Sequence, residues 1–229
     1  MKKYIPLIII VCLMLVVYFL GFFEFLNFET LKANHHKLKG FVESYPMISP
    51  FIFMGIYFLV VLLSIPGAIF LTLIGGFLFN QPFATLYVII GASLGASGIF
   101  VAAKTALGDI LKKKAGPRLK KMEKGFKKNA TSYLLFLRFV PIFPFWLVNL
   151  APAFFDVPFV TFFWTTVVGI APGSFVFVQA GKGLASIFEQ DTFSLNAIFN
   201  LHVKIALVGL GVIALIPIVI KKLRKKKHD

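Results

Sequence analysis

Apolar runs of about twenty residues recur along the chain and are separated by short polar or charged connections. Residues 4–23, 82–103, 158–180 and 203–220 each form such a run. A helix of that length matches a hydrocarbon core about 30 Å thick. Two further apolar stretches are interrupted. Residues 50–79 break at Ile65-Pro66-Gly67 and again at Gly75-Gly76, and residues 132–155 carry Pro141, Pro144 and Pro152. Proline removes a backbone donor and clashes with the preceding turn, so neither stretch reads as a plain spanning helix. The alternation of a transmembrane barrel is absent. The pattern predicts an all-α polytopic membrane protein with four transmembrane helices and two oppositely oriented re-entrant helical hairpins. It divides into an N-terminal span and external loop over 1–47, a hairpin-containing core over 48–185, and a C-terminal span with a basic tail over 186–229.

Charge orients these runs. The 229 residues are 59% hydrophobic and only 14% charged, with a formal net charge of +15. Eighteen of the 24 basic residues fall in three zones: Lys2-Lys3, Lys104 to Lys128, and Lys221 to Lys227. Connections 24–47 and 181–202 are close to neutral. Basic flanks remain on the cytoplasmic side, so both termini and the central basic zone are expected there. A single crossing by residues 50–79 would put the lysines after residue 103 outside. A hairpin that enters and leaves from the outer face restores parity, and residues 132–155 then form a second hairpin from the inner face. The protein is therefore expected in the cell membrane with several passes.

The N-terminal run is too long for a signal peptide and has no small-x-small site before Glu24, so it reads as an uncleaved first span. The basic zones flank apolar runs without interleaved stacking aromatics, which argues against nucleic acid. Anionic lipid head groups at the cytoplasmic face are the expected partners. Behind Pro117, Leu119, Met122 and Phe126 share a face, which fits either an interfacial helix or a solvated basic loop. A homo-oligomer is compatible with the sequence.

One residue stands out on this background. Arg138 is the only charge between Asn129 and Phe155. A charge at membrane depth costs at least about 2.5 kcal/mol and marks a pathway or a ligand contact by default. Snorkelling towards the inner head groups is the simpler alternative, since Lys128 is only ten residues away. With Pro141, Pro144 and Asn149 beside it, Arg138 is expected to bind an anionic group, completed by Pro66, Gly67, Gly75 and Gly76 of the first hairpin. Ser64, Thr72, Asp156 and Gln179 are expected along the same path, although Asp156 also suits an interfacial cap. The lone Cys12 and the four histidines form no metal-type cluster, and His35-His36 reads as a polar loop, with metal binding as the alternative. No Walker motif, nucleophile–base pair or cofactor fingerprint occurs, so neither an enzyme nor a bound cofactor is expected.

An internal repeat links the two interrupted stretches. Pro66 and Pro141 break the hairpins, Pro82 and Pro158 open the runs that follow, Gly91-x-x-x-Gly95 and Gly169-x-x-x-Gly173 lie within them, and Lys104 and Lys182 close them, at offsets of 75 to 78 residues. Inverted repeats with broken helices form transporter sites near the midplane. The glycine pairs, with Ala96 and Gly98, read more simply as packing surfaces for the hairpins.

Two stretches carry a family resemblance. One runs from Ile65-Pro66-Gly67 to Leu71-Thr72-Leu73-Ile74-Gly75-Gly76-Phe77-Leu78-Phe79. The other is Leu137-Arg138-Phe139-Val140-Pro141-Ile142-Phe143-Pro144-Phe145, continuing to Asn149 and Val157-Pro158-Phe159. Over residues 45 to 185 the chain resembles the VTT-domain family, also called the DedA superfamily or SNARE-associated Golgi proteins, and within it the Tvp-type bacterial branch. The resemblance implies facing re-entrant hairpins and movement of lipids between leaflets, flippase- or scramblase-like, with a polyprenyl phosphate or a phospholipid as cargo. Two positions and one absence depart from the family pattern. Asn80 and Ala153 stand where glycine is usual, and no acid lies between Glu43 and Asp109, where the DedA-type branch carries one. Two other functions fit the residues: transport of a small anion or metal ion through the same hairpin site, and a structural or assembly role in the membrane.

Overall fold

The computed structural model describes residues 4–21, 28–114, 130–139, 144–155 and 157–190, together with positions 201, 205, 216 and 220. All of the described structure is helical or turn, with no strand. Pro141, Asp156, the basic helix-or-loop behind Pro117 and most of the 203–220 run lie outside the described residues.

Helix α1, Ile5–Phe19, begins with Pro6 in its first turn, where the missing donor costs nothing, and is apolar on every side. It ends at Leu20, followed by Gly21 at φ 65°. Helix α2, Phe28–Ser44, occupies the connection expected to be an external loop. The local physics accounts for it: Leu31 and Leu38 pack on Phe77, and Lys39 Nζ lies 5.2 Å from the centroid of that ring. The polar remainder of the helix leaves only this narrow apolar stripe to bury.

Helix α3, Ser49–Leu62, and α4, Ala68–Leu78, form the first hairpin. Between them Ser64 takes φ 53° and Gly67 takes φ 133°. A left-handed glycine after a proline turns the chain sharply. The second break expected at Gly75-Gly76 does not exist, because α4 runs through both glycines. A Cβ on Gly76 would strike the Val178 backbone, and one on Gly75 would lie 2.7 Å from the Phe53 ring. These glycines allow close helix packing rather than a turn.

Helix α5, Phe83–Lys114, and helix α8, Phe159–Gln190, continue well past Lys104 and Lys182. Their apolar parts, Phe83–Ala106 and Phe159–Gly183, are long enough to cross a membrane. Residues 130–139 form α6 and Phe145–Phe154 forms α7, with Pro144 at the N-cap of α7. These two are the arms of the second hairpin.

The packing follows a swapped plan. The first arm of each hairpin lies on the long helix that follows it, and the second arm lies on the other long helix. Thus α3 packs along α5 and α4 along α8, while α7 packs on α5 and Arg138 of α6 is seated on α8. Small residues permit each approach: added Cβ atoms would meet Tyr57 and Met54 at Gly91, and Phe58 and Val61 at Gly95. Gly181 of α8 makes the same kind of contact with Leu73 and Gly76 of α4. Phe100 of α5 and Phe162 of α8 stack at the centre, with ring centroids 4.2 Å apart and planes 13° apart. Both rings are fully buried.

Candidate functional site

The two hairpins share a cavity of 340 Å³. Tyr57, Ala68, Ile69 and Thr72 line it from the first hairpin, and Arg138, Pro144 and Val148 from the second. Ala92 and the Gly169–Ser174 part of α8 complete the wall. Ile69 and Pro144 are also exposed, so the lining reaches the outer surface of the helix bundle.

Arg138 is held from several sides. Its Nη2 donates to Thr166 Oγ1 at 2.5 Å and more weakly to Asn149 Oδ1 at 3.4 Å. Its guanidinium carbon lies 5.3 Å from the centroid of the Phe162 ring, a cation–π position. Its aliphatic stem rests on α8 where a Gly169 Cβ would come within 2.7 Å of Cδ. Gly169 therefore makes room for the arginine. It lies ten residues after Phe159, about 15 Å along the helix axis at 1.5 Å per residue. That depth places Arg138 well inside the apolar part of α8 and away from its end. Nε and Nη1 are buried with no hydrogen-bond partner among the described residues. A guanidinium carries five N–H donors and no acceptor, so two of its three nitrogens are left unsatisfied. Leaving a buried donor unmade costs about 1–3 kcal/mol, and more when it is charged.

The first hairpin carries a matching but neutral cross-arm contact. Tyr57 of α3 and Thr72 of α4 bond through their hydroxyls at 2.9 Å, and both lie within reach of the Ala68 carbonyl. Thr72 and Asn149 hold equivalent positions, each the fifth residue after the N-cap of its second arm, Gly67 or Pro144. Both are buried, at 4% and 1% exposure.

Of the residues expected from the sequence, the structure brings Arg138, Asn149, Thr72 and Pro144 together. Pro66 and Gly67 form the first break, beside the cavity rather than in its wall. Gly75 and Gly76 pack between helices. Ser64 and Gln179 lie outside the cavity lining. Sequence reasoning missed Tyr57, Thr166 and Phe162. Thr165-Thr166 was the available signal, a polar pair in the apolar start of α8, one turn from a glycine already singled out. Of the glycines expected to pack, Gly91, Gly95, Gly98 and Gly169 do, while Gly173 has no atom within 4 Å of its Cβ direction and lines the cavity instead. No group of three potential metal ligands occurs among the described residues.

The VTT domain model matches residues 65–183, a stretch that takes in Pro66-Gly67, α5, the whole second hairpin and α8 as far as Gly183. The chain belongs to the VTT domain family. A Caenorhabditis elegans protein named transmembrane protein 41 homolog is 34% identical over 72% of this chain and 66% of its own length. Human transmembrane protein 41B is 27% identical over 89% of this chain and 69% of its own length. The Xenopus tropicalis protein of the same name is 30% identical over 72% of this chain and 59% of its own length. The chain thus spans about two thirds of the length of these relatives. No solved structure matches. In this VTT-domain chain the matched region holds Arg138, Asn149, Thr166 and Gly169, and Tyr57 lies just ahead of it. The relatives are transmembrane proteins by name, in keeping with the two long apolar helices here. They leave the branch within the family unassigned.

Proposed function

We propose that this VTT-domain protein moves phosphate-bearing lipids between membrane leaflets, with Arg138 receiving the phosphate. The observation that carries this reading is a buried guanidinium, two of its nitrogens without partners, beside a cavity built jointly by two broken helices. An entering phosphate would satisfy those donors through parallel charge-assisted bonds. At about 30 Å³ per water, 340 Å³ corresponds to roughly eleven waters, enough for a lipid headgroup but not for its tails. The tails remain in lipid beside exposed side chains such as Ile69.

The arms of the hairpins support re-entrant placement. Helices α3, α4 and α7 have 14, 11 and 10 residues. At 1.5 Å per residue each falls well short of the ~30 Å core. With the basic zones inside, one hairpin dips from each face of the cell membrane, both termini are cytoplasmic, and four full spans surround them. A polyprenyl phosphate and a phospholipid both offer the required chemistry, and the family resemblance implies either as cargo. The same site would serve a transporter of small anions.

The test is reconstitution into liposomes with tail-labelled reporter lipids and an impermeant quencher. Wild type should equilibrate the leaflets, and Arg138→Glu should not, while its helical circular dichroism is retained. Equal lipid movement by the two proteins rejects the proposal. Uptake of inorganic phosphate or sulfate without lipid movement replaces it with the small-anion reading.

A further inference from the structure

The first hairpin contributes a different kind of surface from the arginine. Tyr57 Oη lies 3.1 Å from the Ala68 carbonyl oxygen and 2.9 Å from Thr72 Oγ1, and Thr72 Oγ1 lies 2.8 Å from the same carbonyl. Three oxygens at these distances share two hydroxyl hydrogens. Either Thr72 donates to Ala68 and Tyr57 donates within the triangle, or Tyr57 donates to Ala68 and Thr72 donates to Tyr57. In both arrangements the two hydrogens are committed, and what the hydroxyls can still offer is oxygen lone pairs. Arg138 is the reverse, with N–H donors only. The shared cavity therefore has a donor wall on the second hairpin and an acceptor wall on the first, all of these residues lining the same 340 Å³.

From this we propose that Tyr57 and Thr72 read the lipid headgroup, accepting a hydrogen bond from its N–H or O–H while Arg138 holds the phosphate. The favoured substrates are phospholipids whose headgroups keep a donor, such as a primary ammonium. Fully methylated choline headgroups are disfavoured. Both headgroups carry one positive charge, so charge alone does not discriminate between them. The difference lies in the oxygens, which a trimethylammonium can reach but cannot satisfy. Sites built around a hydrogen bond reject analogues that lack it more strongly than apolar pockets reject a change of size. The proposal rests on the lipid-moving reading and assigns the headgroup class for that site.

The deciding experiment is a binding titration of the detergent-solubilised full chain. The probes are short-chain phosphatidylethanolamine and its mono-, di- and trimethylated derivatives, which share one phosphate and one charge. The first three keep at least one N–H. Wild type should bind them within a narrow range and bind the trimethyl compound about tenfold more weakly, the size expected for a hydrogen bond to a charged group. Tyr57→Phe and Thr72→Val should each shrink that final step, and the double variant should remove it. Equal binding across the series by wild type overturns the proposal, whatever the variants do. A final step that survives in the double variant also overturns it, by assigning the discrimination to another group. A step present in wild type and lost in the double variant, alongside liposomes in which no lipid moves, would uphold the headgroup site and sink the transport reading instead.

Discussion

The two hairpins have the same construction and opposite chemistry. Each lays its first arm on the long helix that follows it, has a proline at or next to the N-cap of its second arm, and places a buried polar residue five positions after that cap. In the first hairpin the cross-arm contact is Tyr57 with Thr72, neutral and internally satisfied. In the second it is Arg138 with Asn149, charged, long at 3.4 Å, and short of partners for two nitrogens. A repeat needs only one satisfied contact to hold its fold. The copy left with unmet donors is the one with something to gain from a ligand. The two hairpins thus divide one cavity between them, spare acceptors from the first copy and unmet donors from the second.

The comparison can be broken most forcefully at its charged half. Arg138→Glu should lower lipid movement in liposomes to the protein-free rate. Arg138→Lys should keep the charge but lose the two-pronged geometry, and so fall between the two. Next in size is Gly169→Leu. The arginine stem already occupies the space of the new side chain, so overpacking should cost about 1–3 kcal/mol in denaturant unfolding and reduce lipid movement as Arg138 is displaced. Gly173→Ala, one turn further along α8, meets open space and should leave unfolding unchanged. A smaller effect sharpens the picture inside the second hairpin. Thr166→Val removes the short bond to Arg138 and Asn149→Ala the long one, so Thr166→Val should lower thermal stability more. The reverse order would show Asn149 to be the real anchor. Smallest is Tyr57→Phe, which should cost about 0.5–1.5 kcal/mol for one net hydrogen bond. A stability loss as large as that of Gly169→Leu would mean that the neutral contact also carries the fold.

Much of this frame was legible in the chain. Proline and glycine act locally, so Pro66-Gly67 and Pro144 announced breaks: α3 ends before Pro66, α4 starts after Gly67 and α7 starts after Pro144, whereas Pro152, also expected to interrupt the chain, lies inside α7. The glycine pairs announced close approach, and Gly91, Gly95 and Gly169 provide it. Arg138 and Asn149 could be assigned to one site because a charge at membrane depth marks a ligand contact and both lie in the same broken stretch. What was not legible depended on the other helix. Gly75-Gly76 reads as a break until Val178 is seen against it. The connection before Met47 reads as a loop until Phe77 offers Leu31 and Leu38 somewhere to pack. Tyr57 and Thr166 are ordinary residues in apolar helices, and only the swapped packing of the hairpins brings them to the cavity.

Gly173 has a practical consequence. Because its missing side chain leaves a vacancy that no neighbour among the described residues fills, residues of increasing bulk there would narrow the cavity in steps while the surrounding helices stay seated. The largest headgroup still bound at each step would gauge the width of the cavity from within.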